Sequence, residues 1–139
     1  MIVFLDSSSL IKLYVDEPDA APVRRLVVES AAVAVSHISR VEATSALARR
    51  RREGHLDDGS FAMARAALDA DWPSYAVVDL DDATACALVQ RHPLRAMDAV
   101  QLAAALGIAA TVPGTAFTFV SHDGRLADAA RAEGLAVVA

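Results

Sequence analysis

Five short runs of aliphatic and β-branched residues, separated by longer stretches of helical pattern, set the strongest limit on how this chain folds. They are IVFL at 2–5, VAVS at 33–36, YAVVDL at 75–80, AFTFVS at 116–121 and LAVVA at 135–139. Each is apolar on both faces, and strands of that kind belong to parallel sheets covered by helices on each side. The periodicity predicts helices over residues 7–15, 20–30, 39–53, 58–71, 82–91, 96–110 and 124–133, with Pro18, Gly54, Pro73, Pro93, Pro113 and Gly114 in loops. The expected fold class is therefore α/β: a three-layer α/β/α sandwich with a central, mainly parallel sheet of about five strands. At 139 residues the chain is expected to form one domain, residues 1–139.

The composition limits the partners. Apolar residues make up 55% of the chain, yet no segment reaches the ~18 uninterrupted apolar residues of a membrane span. The excess apolar surface is expected to meet protein partners. The opening MIVFLDSSSL has neither the basic region nor the long apolar region of a signal peptide, so a cytoplasmic location is expected. The lone Cys86, in ATACALV, excludes an internal disulfide and a cysteine metal site and reads as a buried thiol. Thirteen Lys and Arg against eighteen Asp and Glu give a net charge of -5, which leaves room only for a local nucleic-acid footprint.

Ligands of such sheets bind at the carboxyl ends of the strands, and that rule selects among the acids. Asp6 follows the first strand directly, and Asp123 follows FTFVSH. Glu42 stands one helical turn beyond the second strand. Asp98 opens the helix of LRAMDAVQLAAAL, where Gln101 is the only other polar side chain between Ala96 and Ala110. All four also sit where helices begin. Asp6 in DSSS and Asp123 in DGRL read as N-caps, Ser39 and Glu42 match the capping-box spacing, and Asp98 suits a helix dipole. Capping does not explain why an almost wholly apolar helix carries a carboxylate. Asp79, Asp81 and Asp82 surround a strand end too. Their density reads as a solvated turn, but spacing alone leaves them in the candidate set.

Convergent carboxylates have a limited chemistry. Two unit charges about 4 Å apart repel by about 4 kcal/mol at an effective dielectric of roughly 20, so such a cluster takes up protons or binds a cation. Hard oxygen donors suit Mg²⁺ or Mn²⁺. Such ions help deprotonate water and stabilise a leaving oxygen in metal-dependent nucleases.

At these residues the sequence resembles the PIN-domain family, and within it the VapC-type toxin ribonucleases of bacterial type II toxin-antitoxin systems. The resemblance runs through FLDSSSLIKLYVDEP, SRVEATSALARR, LRAMDAVQLAAA and FVSHDGRLADAA. It implies a Mg²⁺- or Mn²⁺-dependent endoribonuclease acting on single-stranded or structured RNA, with catalytic and metal-holding acids at Asp6, Glu42, Asp98 and Asp123. It sets aside the Asp79–Asp82 group. Ser8 and Ser121 match hydroxyl positions that orient water or carboxylates. Ser121 stands where threonine is more usual, and His122 where an apolar or aromatic residue is common. The resemblance also implies a homodimer and a cognate VapB-like antitoxin whose segment lies in an apolar groove near the acids.

Arg49, Arg50 and Arg51, in the four-arginine run 49–52, and Arg95 are candidate RNA-phosphate contacts, against the plainer reading of a solvated helix end. Leu10, Leu13, Tyr14, Phe61, Met63, Leu68 and Trp72 read as core or partner-facing. His37, His55 and His92 show no ligand spacing. Two other readings compete. One is a receiver-like signalling module phosphorylated on Asp79; the other is a phosphatase with Asp6 as nucleophile, which would want an acid where Ser8 stands.

Overall fold

The computed structural model describes residues 1–139. Strands β1 (Ile2–Leu5), β2 (Ala32–Ser36), β3 (Ala76–Val78), β4 (Phe117–Val120) and β5 (Ala136–Val138) alternate with helices α1 (Ser7–Leu10), α2 (Ala20–Glu29), α3 (Ser39–Arg52), α4 (Asp58–Asp71), α5 (Asp82–Arg91), α6 (Ala96–Thr111) and α7 (Gly124–Ala132). All strands are parallel, in the order β3-β2-β1-β4-β5. From β1 the chain winds outward to β3, then returns to build β4 and β5 on the other side. The order thus reverses between β1 and β4, where a crevice for a ligand opens in sheets of this kind.

Side chains alternate across the sheet with period two. Phe4, Ala34 and Phe119 face a core built from α5, α6 and α7. Val3, Leu5, Val35 and Val120 face Leu10, Val23, Ala43 and Leu68 on α1 to α4. Phe4 and Phe119 stack with ring centroids 5.6 Å apart, worth about 0.5–1.5 kcal/mol beyond their burial. This contact fixes β1 against β4 at the crevice. Burial of α6 from Ala99 to Ala105 explains its apolar composition.

Several expectations are corrected. The first helix ends at Leu10 and continues as a 3-10 turn, Ile11–Leu13. The edge strand β3 is three residues long and mostly exposed, since only a central parallel strand is covered on both sides. Cys86 is exposed, not buried, because α5 turns Ala85 and Leu88 inward and its neighbouring residue outward. Leu10 and Leu68 are core, whereas Met63 is 75% exposed. The capping box does not form: Ile38 holds the N-cap position of α3, and the Glu42 side chain is engaged elsewhere. No single helix is long and apolar enough to cross a membrane.

Candidate active site

Asp6, Glu42, Asp98 and Asp123 line one cleft of about 580 Å³. Asp6 and Asp123 come from the ends of the two strands that flank the order reversal. Glu42 arrives from α3 on one face of the sheet and Asp98 from α6 on the other.

Asp6 is 2% exposed. Its Oδ1 accepts from Ser8 Oγ at 2.7 Å and from the Ser9 backbone N–H at 2.8 Å, the second bond being the N-cap of α1. Its Oδ2 accepts from Ser121 Oγ at 2.6 Å. Burial pushes the Asp6 carboxyl up, and the Ser121, Ser8 and Ser9 hydrogen bonds offset only part of that rise. Asp123 likewise caps its helix, accepting from the Leu126 N–H at 3.1 Å. For these two acids capping and a place in the cleft are compatible: the cap fixes one oxygen, and the helix start sets the carboxylate at the cleft wall.

Glu42 Oε1 accepts from Ser7 Oγ at 2.7 Å and from Gln101 Nε2 at 2.9 Å. Gln101 Nε2 also reaches Ser39 Oγ at 3.0 Å. Sequence reasoning missed Ser7, Ser39 and Gln101 as site residues. A signal existed for Gln101: it lies one turn after Asp98, on the same face of α6, and is the other polar side chain of that helix.

Asp98 is half-buried, and no hydrogen bond relieves it. Burial raises its pKa first, the Asp123 carboxylate adds to the rise, Arg95 opposes it, and Asp6 and Glu42 push it up further. An acid pushed up by three like charges calls for a proton or a cation. No three acidic or imidazole groups close tightly enough to form a complete metal cage. The donors are hard carboxylate oxygens, the type that suits Mg²⁺ or Mn²⁺, and an ion here would be held directly by at most two of them with water completing its shell.

Of the arginine candidates, Arg49, Arg50 and Arg95 line the cleft. Arg51 does not, because its guanidinium lies 3.9 Å above the Phe61 ring. His122 lines the cleft, with Nδ1 3.0 Å from Ser9 Oγ; burial and the charge of Lys12 hold its pKa below the usual value. His37, His55 and His92 lie outside, next to Asp79, Glu53 and Glu133. The Asp79 side chain is 94% exposed beside the edge strand, and Asp81 caps α5 through Thr84. A receiver's acid pocket around Asp79 is thus missing, and Ser8, where an aspartyl-nucleophile phosphatase would want an acid, donates its hydroxyl to Asp6.

Among curated proteins, none matches the sequence. Solved structures are similar across nearly the whole chain. PAE2754 from Pyrobaculum aerophilum shares 20% identity at a TM-score of 0.68, covering 99% of this chain and 84% of that one. FitAcB from Neisseria gonorrhoeae shares 16% at 0.68, covering 99% and 96%. A toxin-antitoxin complex from Klebsiella pneumoniae shares 16% at 0.64, again covering 99% and 96%. At these identities the likeness is one of fold. The PIN domain family model matches residues 3–132, nearly the whole chain, so the chain belongs to the PIN-domain family.

Proposed function

We propose that the protein is a divalent-metal-dependent endoribonuclease, the toxin of a toxin-antitoxin pair. The carrying observation is the cleft itself, which four carboxylates from both faces of the sheet line, with Asp98 in neither a hydrogen bond nor a salt bridge and its charge opposed only by Arg95. Family membership supports nuclease chemistry, and the toxin role is supported by the fold likeness to the Klebsiella pneumoniae toxin-antitoxin complex.

Asp98 and Asp6 would hold Mg²⁺ or Mn²⁺, with Glu42 and Asp123 reaching it through water. When bound, such an ion neutralises phosphate charge and eases deprotonation of a water. Ser8, Ser9 and Ser121 fix the Asp6 carboxylate, and Ser7 with Gln101 fixes Glu42, so neither has to reorganise when substrate arrives. Arg49 and Arg95 offer guanidinium donors to RNA phosphates. Water attacks phosphorus, the P–O3′ bond breaks, and the products carry a 5′-phosphate and a 3′-hydroxyl. Protein partners in this reading are a VapB-like antitoxin and a second copy of the chain, in the cytoplasm.

The test incubates purified protein with single-stranded RNA in Mg²⁺, in Mn²⁺ and in chelator. Cleavage is expected only with metal, and Asp6→Asn or Asp98→Asn is expected to abolish it while preserving the fold. Full cleavage by either folded variant overturns the assignment.

A further inference from the structure

Lys12 is a lysine at 7% exposure that lines the cleft, and none of the chemistry above uses it. A buried ammonium requires a partner. Its Nζ lies 2.8 Å from Glu17 Oε2, and the other oxygen of Glu17 pairs with Arg50. One carboxylate thus serves two cations and leaves this wall with a net positive charge, to which Arg49 adds. Burial alone would raise Glu17, but the Lys12 hydrogen bond and the charges of Arg50 and Lys12 outweigh it and hold the carboxyl below its ordinary range.

The arrangement is braced from behind. Arg24 on α2 donates from Nε to the Lys12 carbonyl and from a terminal nitrogen to the Val15 carbonyl, both at 3.1 Å. The turn that carries Lys12 and Glu17 is therefore held before any ligand arrives. A tie between this turn and α3 needs one cation and one carboxylate. The second cation, which lines the cleft wall, is surplus to that role.

Position indicates which ligand group it would take. Glu42 and Arg49 both line the cleft from α3, two turns and about 10 Å apart along the axis. Arg50, the next residue, is offset from Glu42 by about 12 Å along the same axis, so the wall it shares with Lys12 is displaced along the cleft from Glu42. We propose that Lys12 and Arg50, spaced by Glu17, form a subsite for a phosphodiester of the RNA strand next to the one being cleaved. Glu17 acts as a positioning residue. This rests on the ribonuclease reading and adds the place where the strand is gripped.

The test measures binding of a fluorescently labelled single-stranded RNA oligonucleotide by anisotropy, in chelator, across a salt series. Lys12→Met, which leaves Glu17 paired with Arg50, is expected to weaken binding roughly tenfold and to reduce the slope of log K against log salt by about 0.7. Lys12→Arg is expected to keep the wild-type slope. Arg50→Gln, which leaves Glu17 paired with Lys12, is expected to reduce the slope by a similar amount. A wild-type salt slope in Lys12→Met or in Arg50→Gln, in a variant that melts like wild type, overturns the subsite while wild-type cleavage keeps the ribonuclease reading intact. Failure of the wild-type protein both to bind and to cleave RNA overturns the two together.

Discussion

Ser121 Oγ donates to Asp6 Oδ2 across 2.6 Å, joining the end of β4 to the end of β1 where the strand order reverses. The same hydroxyl accepts the Asp123 backbone N–H at 3.1 Å. One side chain thus sets the spacing of two cleft acids.

Ser121→Ala is expected to cost about 1–3 kcal/mol of stability at neutral pH, because Asp6 Oδ2 is left buried without a donor. The Asp6 pKa is raised in the fold, so its ionised form is the costly one; stability present below the unfolded value of 3.8 is lost as pH rises through the folded value. The variant enlarges that loss. Its deficit in urea unfolding should therefore be largest at neutral pH and shrink in acid, and a deficit that grows in acid contradicts this.

Asp98→Asn is expected to leave thermal stability unchanged or raise it in chelator at neutral pH. Its carboxyl is pushed up by burial and by Asp123, Asp6 and Glu42, so the amide removes an unfavourable charge. The gain should fade as pH falls and Asp98 in the wild type takes up its proton. Added Mg²⁺ is expected to raise the melting temperature of the wild type by mass action and that of the variant less. A marked loss of stability in chelator would support a purely structural Asp98.

Gln101→Leu removes the amide shared by Glu42 and Ser39. With Ser7 left as the sole donor to Glu42, a stability cost of about 1–3 kcal/mol is expected. RNA cleavage should fall mainly in kcat, since the binding groups are untouched. An unchanged kcat in a folded variant removes Gln101 from the site.

Cys86 is exposed on α5, so a thiol-specific reagent is expected to modify it in the native state at a rate close to that in denaturant. Protection that ends only on unfolding would show a covered α5, as a second copy of the chain or another partner would provide.

The layering of the fold was legible because its signal is local. A strand such as IVFL, apolar on both faces, states that both are covered, and α6 states its burial in its alanines. Lengths were less legible at the periphery. YAVVDL reads as six residues of strand but only Ala76–Val78 pair, because edge pairing depends on how far the neighbour extends. Cys86 misled for a related reason: in an apolar helix, which residue points outward is set by the angle at which the helix lies on its neighbours.

By itself the sequence determined the α/β class, the strand-end position of Asp6 and Asp123, and the anomaly of Asp98 in an apolar helix, all consequences of residue periodicity. Only the tertiary structure decided which acids share a cleft, since strand order is absent from any local pattern. It placed β4 beside β1 and β3 at the edge, which brought Asp123 to Asp6 and left Asp79 in solvent. It also drew Ser7, Lys12, Glu17 and Gln101 into the cleft, because long-range packing chooses the neighbours of a polar side chain.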